Sequence, residues 1–571
     1  MLKINLKLKI FVFFFCLIPI LFMVRLFYLQ VLSGDKFKRR AEDQVKRIIK
    51  VLPRRGSIYT RNEAPLALTK KVYSLYAIPA QITNKYVTVK GLSPVLGMKQ
   101  ATLFRKLNSK APFLWIKRKL EEDVYQKILR LDLKGINFME EEKRIYPKQN
   151  LGAHFLGFVG IDNQGLGGVE YKFDKLLSGT PGEVILESDP RGVQISSGTR
   201  KVRQSYDGGD IYATLDEFIQ YSAQKHLKEG VEANQAEGGQ VIVMNPNTGE
   251  VLGLAIYPDF NPNKYYEYKT ADLRNKAVTD IFEPGSIFKV VTISSALEEG
   301  VVKPDSVFEV PEKIRVRDRV IKEAHARKEG ESDKKTVRDI LRESLNVGTV
   351  LVSQELGKER FYKYIKMFGF GTHTKIELPA ESKGIFKSMR RWNDLDSAMA
   401  SFGQGIGVTS LQIATAVSVI ANGGILVKPK VVNHFITNDS KSVIHIPYVN
   451  RGRILSKKTA FEVREMMRLV VEEGTGTTAK IPGYSIAGKT GTAQKAGQGG
   501  VGYLKGKYVA SFIGFFPVRN PEILILVLVD SPQKSIWGGT VAAPIFKKIT
   551  LDLIDYLNMT PDVDLIPPFS G

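Results

Sequence analysis

The chain holds one cysteine, Cys16, among 571 residues. An intramolecular disulfide and a cysteine metal cluster are therefore excluded. Cys16 lies inside an apolar N-terminal run, where the plain expectation is an inert buried thiol. Histidine is scarce: His154, His226, His325, His373, His434 and His445 are scattered, and none forms a His-Glu-x-x-His pair. A Ser-His-Asp triad assembled in space stays open, although nothing local proposes one. A second long apolar run is missing too. Leu524 to Val529 in "PEILILVLVDSP" is too short to cross a bilayer, and its composition reads as a buried strand. The net charge is +24, yet no dense Lys/Arg block with interleaved aromatics, no zinc spacing and no RNA-binding signature accompanies it. No nucleic-acid partner is expected; the charge suits proximity to an anionic surface such as a bilayer with acidic lipids.

What is present is a globular composition, 43% hydrophobic and 25% charged, in a chain long enough for two or three domains. The N-terminus carries the localisation signal. Lys3, Lys7 and Lys9 precede an apolar stretch from Ile10 to Leu32 that is long enough to span a membrane. The basic flank keeps residues 1–9 cytoplasmic and exports the remainder; Lys36, Lys38, Arg39 and Arg40 after the span weaken that bias and suit headgroup contact on the far side. Val31-Leu32-Ser33 loosely fits a signal-peptide cleavage site, but the apolar run is longer than a signal core, which favours an uncleaved single-pass anchor. Arg25, near the outer end, is placed to snorkel or to pair with a polar group on a partner membrane helix.

Residues 33–205 mix short strands and turns; "SKAPFLWIKRKLEEDVYQKILRLDLKG" reads as largely helical, and no residue set here proposes chemistry. A second unit, 206–560, opens with a strand and helix in "IYATLDEFIQYSAQKHLKEGVEAN" and a hairpin in "EGGQVIVMNPNTGEVLGLAIYP". A long helical region follows, from Ser286 to about Gly424; strands return at "YSIAGKTGTAQ", "KYVASFIGFFP" and "EILILVLVD", and "APIFKKITLDLIDYLN" closes the unit as a helix. Strands at both ends with helices between predict an α+β fold. Residues 561–571 read as an extended tail.

"TDIFEPGSIFKVVTISSALEEG" places Ser286 three residues before Lys289 at the start of an apolar helix. Residues i and i+3 share a helix face, so the lysine amine is within reach of the serine hydroxyl. A serine is a poor nucleophile until a base takes its proton, and lysine is such a base only when burial or a neighbouring cation lowers its pKa. The plainer reading is a capping serine and a solvated lysine. Ser-x-x-Lys is weak by itself, recurring at Ser33/Lys36, Ser222/Lys225, Ser332/Lys335 and Ser531/Lys534. Two further stretches distinguish the first: Ser344-Leu345-Asn346, and Lys489-Thr490-Gly491, the sole Lys-Thr-Gly in the chain. Their order matches the serine–lysine acyltransferase set, Ser-x-x-Lys, Ser-Asp-Asn and Lys-Thr-Gly, with Leu345 in place of the central Asp.

With these motifs the chain resembles a class B penicillin-binding protein over nearly its whole length. "RRGSIYTRNEAPLA", "RIYPKQNLGAHFLGFVG" and "GLGGVEYKFDKLLSGTPG" are similar to pedestal-domain motifs, with Thr60 and Glu63 where the family has Asp and Gly. "NKAVTDIFEPGSIFK", "RWNDLDSAMASFGQGIGVTSLQIATA" and "GGTVAAPIF" are most similar to the division-specific branch. The resemblance implies an antiparallel five-stranded sheet flanked by helices, with an all-helical subdomain, as in serine β-lactamases. It also implies a peptidoglycan D,D-transpeptidase acting at the septum. Ser286 would be the nucleophile towards the D-Ala-D-Ala donor and Lys289 its base. Ser344 would relay a proton, and Asn346 would hold the donor amide. Lys489 would supply positive charge near the substrate carboxylate. Thr490, Gly491 and Thr492 would be substrate-binding, the two threonines bonding that carboxylate or lining the strand, and the amides of Ser286 and Thr492 would form the oxyanion hole. No metal or organic cofactor is implied. The implied partners are donor and amine-bearing acceptor stem peptides, β-lactams, the membrane, a polytopic SEDS-type lipid II glycosyltransferase and other division proteins. An elongation-branch transpeptidase, a D,D-carboxypeptidase, a β-lactamase and a non-enzymatic penicillin-binding scaffold are the competing readings.

Overall fold

The structure, a computed structural model, describes residues 5–38, 46–187, 201–324, 332–438, 441–497 and 502–563. Arg39, Arg40, His325 and the tail from residue 564 lie outside these. The chain divides into two compact units, Met1–Arg54 with Gly179–Gly208, and Arg55–Ser178 with Gly209–Gly571.

In the first unit, Leu6–Phe27 is helical and continues through a π-turn to Leu32. This span has a mean hydropathy of 2.7, and among the described residues it is the one helix long and apolar enough to cross a membrane. At about 1.5 Å per residue it exceeds the hydrocarbon thickness of about 30 Å. Cys16 is not covered by other described residues, as suits a residue facing lipid rather than a protein core. The Arg25 guanidinium lies 5.5 Å from the centroid of the Tyr28 ring, a cation–π contact within the helix's own end. The unit is completed by a three-stranded antiparallel sheet with Gly182–Glu187 between Lys46–Val51 and Lys201–Arg203.

The second unit begins with a sheet built on the long strand Pro65–Ala77, which pairs with Ile136–Ile145 and Leu114–Leu120. Leu114–Leu120 corrects the helical expectation for its segment; only Glu122–Leu129 is a helix there. Aromatic and β-branched residues at Trp115 and Ile116 suit a pleated surface, and cross-strand pairing of Tyr76 with Trp115 decides the matter. The three pedestal-like motifs each send a side chain to one buried cluster. Glu170, fully buried, accepts from Arg55 Nε (2.9 Å), Arg144 Nε (2.7 Å) and Tyr146 Oη (3.2 Å). Where Thr60 and Glu63 depart from the family pattern a turn still forms. The Thr60 hydroxyl accepts from Ala64 N, and Glu63 adopts φ +63°.

The rest of this unit centres on a five-stranded antiparallel sheet: β1 (Gly238–Met244), β2 (Val251–Tyr257), β3 (Ala487–Ala496), β4 (Tyr503–Phe516) and β5 (Ile523–Asp530), in the order β2-β1-β5-β4-β3. β5 is apolar on both faces because both are covered. Leu524 and Leu526 join a core with the wholly buried helix Ser410–Ala421, while Ile525, Val527 and Val529 meet the helices Glu217–Ala233 and Gly538–Tyr556. The region from Ser286 to Gly424 is less uniformly helical than its sequence predicts. Two antiparallel strand pairs interrupt it, Val307–Glu309 with Lys334–Thr336 and the hairpin Lys313–Val316 with Arg319–Lys322. Ile314, Val316 and Ile321 pack inward there, so alternation rather than helical period governs the segment.

Candidate active site

Ser286 lies on a short 3-10 turn, Gly285–Phe288, that runs directly into helix α1 (Lys289–Glu298). Pro284 and Gly285 make the break that starts the turn. Gly285 has φ +54°, and its N–H donates to the Gly403 carbonyl at 3.1 Å. A Cβ on Gly403 would meet the Gly285 carbonyl oxygen at 2.1 Å, so the turn Gly403-Gln404-Gly405 packs backbone to backbone under the serine. Glu283 clamps the same two segments: its carboxylate accepts from Gly405 N at 2.8 Å and from Tyr503 Oη at 3.1 Å. Burial raises the Glu283 pKa, with those two hydrogen bonds opposing.

Lys289, in the first turn of α1, is fully buried. Its Nζ donates to Ser344 O (2.5 Å), Asn346 Oδ1 (2.7 Å) and, at 3.4 Å, Ser344 Oγ. Burial lowers its pKa to about 7, with the Glu323 carboxylate pulling the other way. Lys489 Nζ approaches the same serine from the sheet, donating to Ser344 Oγ at 2.8 Å and to Thr490 O at 3.1 Å. Burial, and then the charge of Lys289, hold Lys489 well below the ordinary lysine range. Two buried ammonium groups on one hydroxyl cannot both be cheaply charged. Among the described residues no hydrogen bond joins Ser286 Oγ to Lys289 Nζ; such contacts are often long in a free enzyme.

Ser344-Leu345-Asn346 leads into helix α2 (Asn346–Leu356). Ser344 sits at φ +62°, a conformation costly for a residue with a Cβ and characteristic of functional sites. Leu345 packs on the core and offers no capping side chain. Instead the Glu323 carboxylate, at the end of the hairpin strand Arg319–Lys322, accepts from the free N–H groups of Asn346 and Val347. Asn346 Nδ2 donates to Lys322 O at 3.1 Å. The sequence reading missed Glu323. A helix start with no Ser, Thr, Asp or Asn at its cap was the available signal that a remote acceptor must serve it.

β3 carries the last motif along the sheet edge. Gly491 is required there: a Cβ would lie 2.5 Å from Ser511 Oγ and 3.0 Å from Ile287 Cγ1, so only glycine lets the serine-bearing turn seat on the strand. Thr490 Oγ1 shares a hydrogen bond with Thr475 Oγ1 (2.7 Å), and Thr492 Oγ1 accepts from Gly538 N (3.2 Å). A cleft of about 650 Å³ results. Ser286, Ser344, Asn346, Thr490, Gly491 and Thr492 line it, while Lys289 and Lys489 lie beneath. Among the described residues no group of histidine, cysteine or carboxylate side chains is arranged to hold a metal.

Residues 239–551 match the penicillin-binding protein transpeptidase domain, and residues 50–213 match the penicillin-binding protein dimerisation domain. The chain is 35% identical to stage V sporulation protein D of Bacillus subtilis, over 94% of this chain and 83% of that protein. It is 32% identical to peptidoglycan D,D-transpeptidase FtsI of Escherichia coli K12, over 94% of this chain and 90% of that one. Penicillin-binding protein 3 of Mycobacterium tuberculosis, solved in complex with aztreonam, superposes with a TM-score of 0.71 at 28% identity, covering 91% of this chain and 99% of the other.

Proposed function

The chain belongs to the penicillin-binding proteins, as a peptidoglycan D,D-transpeptidase of the serine type, and from that premise we propose that it cross-links stem peptides at the division septum through an ester on Ser286. The observation that carries the reading is one hydrogen-bond network, Lys289–Ser344–Lys489 with Asn346, directly under the cleft that Ser286 lines.

In this reading Ser286 Oγ attacks the carbonyl carbon of the penultimate D-Ala. Its proton passes to Lys289, which is neutral for a good fraction of the time near pH 7. The oxyanion forms against the amides of Ser286 and Thr492, at a turn start where backbone N–H groups are free. As the C–N bond breaks, Ser344 relays the proton taken up by Lys289 to the amine of the departing D-Ala, giving its own hydroxyl proton and receiving that of Lys289. Asn346 holds the donor's amide with the N–H that Lys322 O leaves over. Thr490 and Thr492 bond the terminal carboxylate, and the approach of that anion raises the pKa of Lys489 and draws positive charge to it. An amine of a second stem peptide then attacks the ester and releases Ser286. β-Lactams acylate Ser286 by the same attack. No metal or organic cofactor takes part.

The apolar helix Leu6–Leu32 anchors the protein in the cytoplasmic membrane, with residues 206–560 on the outer side as the catalytic part and 33–205 as a non-catalytic pedestal and contact module. Its partners are a polytopic SEDS-type lipid II glycosyltransferase and other division proteins. The similarity to a sporulation protein favours a second reading, cross-linking of the spore wall. Replacing the wild-type gene by one encoding Ser286→Ala and imaging the cells distinguishes them. Filaments that grow without septa are expected. Cells that stop elongating yet divide, or that fail only in spore formation, would displace the septal reading. Intact-mass detection of a Ser286 ester with a peptide mimic, with and without an acceptor amine, tests the chemistry; hydrolysis alone would indicate a carboxypeptidase.

A further inference from the structure

The hairpin Lys313–Val316/Arg319–Lys322 has two unlike faces. Its register pairs Lys313 with Lys322, Ile314 with Ile321, Arg315 with Val320 and Val316 with Arg319. Cross-strand partners share a face. Ile314, Val316 and Ile321 therefore turn towards the small core that includes Val350 and Phe402. Lys313, Arg315, Val320 and Lys322 form the other face, and all four are exposed. Among the described residues none of these three cations has a carboxylate within ion-pair distance. Arg317 at the tip is the hairpin cation that does, pairing with Asp394 at 3.4 Å. The acids along residues 312–323 are Glu312 at the base, Asp318 at the tip and Glu323. Glu323 is committed to the α2 amides. Among the described residues the hairpin thus presents a cationic face without ion-pair partners.

The strand that bears Lys322 runs on to the active site. The strand carrying Lys322 ends at Glu323, which holds the start of α2. Lys322 O accepts from Asn346, and the next residue, Ala324, lines the cleft. Arg319, at the tip, bears electrostatically on Glu283 and Tyr503, the clamp beneath Ser286.

We propose that Lys313, Arg315 and Lys322 form a docking face for the acidic, non-reacting part of the stem peptide, and that this protein selects stem peptides with free carboxylates over amidated ones. The inference rests on the transpeptidase reading above. Like-signed residues at the mouth of a cleft raise the local concentration of an oppositely charged ligand by 10-fold or more, and salt erodes the effect.

The test uses the full chain in detergent and two thioester mimics of the stem peptide. They are identical except that the second residue carries a free α-carboxylate in one and a carboxamide in the other. The second-order rate of Ser286 acylation is read by intact mass. In the wild type the carboxylate mimic is expected to react about tenfold faster at low salt, with the advantage lost near 1 M salt. The Lys313→Gln/Arg315→Gln/Lys322→Gln variant is expected to treat both mimics alike while reacting normally with a fluorescent penicillin. The penicillin signal also confirms that the variant is folded, and Lys322→Gln alone, which keeps the backbone carbonyl used by Asn346, should show part of the loss. Equal rates for the two mimics in the wild type, or an undiminished preference in the variant, would overturn the proposal. So would a variant that keeps the preference but no longer sediments with phosphatidylglycerol vesicles, since the face would then be a lipid contact. Absence of any ester on wild-type Ser286 would instead count against the transpeptidase reading.

Discussion

In the proposed mechanism Lys289 is the base, and its surroundings give that role a pH dependence. Burial brings its pKa from the ordinary 10.5 to about 7, so the neutral base gains population as pH rises to that value. The acylation rate of Ser286 with a chromogenic cephalosporin is expected to climb roughly tenfold per unit on the acid side and to level off above about 7. A flat profile from pH 5 to 9 would remove Lys289 from the role of base. The same shift has a sign for stability. Between about 7 and 10.5 the unfolded chain binds the proton that the folded chain lacks, so the contribution of Lys289 to stability grows with pH across that window. Glu323 acts on the same residue from outside the motifs. Glu323→Gln removes the negative charge that holds the Lys289 pKa up and weakens two hydrogen bonds at the start of α2. The acid limb is expected to move to lower pH and the plateau rate to drop, with a stability loss of about 0.5–2 kcal/mol, the scale of a lost cap. A plateau change with the limb unmoved would mean that Glu323 only positions Asn346. Ser286, Lys289 and Lys489 are readable in sequence because each sits in a short motif. Glu323 is not, because its function is to satisfy amides 23 and 24 positions away, and no local spacing encodes that.

Among elements, the contact between β3 and the turn ahead of α1 leaves no free space for a Cβ at Gly491. Gly491→Ala would drive a Cβ against Ser511 Oγ and Ile287. Because the strand is hydrogen-bonded to β4 along its length, the turn bearing Ser286 is the part that gives way. Penicillin acylation is expected to fall by about 100-fold, the cost of a displaced nucleophile, for a stability loss of about 1–3 kcal/mol. Wild-type acylation in a folded variant would show that the turn can retreat without harm. In the preceding domain, Arg55, Arg144 and Glu170 weld three distant segments together. Glu170→Ala removes the carboxylate that pairs with the buried Arg144 and leaves Arg55 with Asp174 alone, and is expected to cost about 3–5 kcal/mol in denaturant unfolding; a loss below 1 kcal/mol would mean the cluster is reached by water. The elements most legible in sequence were those whose pattern suffices by itself, such as the run Ile523–Asp530, buried on both faces. Leu114–Leu120 and the hairpin Lys313–Lys322 were misread as helical because their state is decided by partners, Pro65–Ala77 in one case and the core around Phe402 in the other.

At the scale of the whole chain, the helix Leu6–Leu32 is predominantly apolar and, among the described residues, unpacked by protein, as a lipid-facing span would be. Full-length protein is expected to resist carbonate extraction from membranes, and a chain shortened to begin at Ser33 to lose that resistance while still labelling with penicillin. Extraction of the intact protein would show that the helix does not anchor it. The order of the three motifs revealed the enzyme class from sequence, but the shared hydroxyl of Ser344, to which both lysines point, was not visible there, because it depends on a sheet edge and two helix starts converging. The complete burial of Lys289 and Lys489 carries a chemical consequence for the molecule. An amine that titrates near 7 is, in solution, the first to react with an acylating reagent. Here the most reactive amines of a strongly basic protein are the ones a reagent cannot touch. Limited acetylation at neutral pH should therefore strip charge from the surface lysines, the docking hairpin among them, and leave a protein that still captures penicillin.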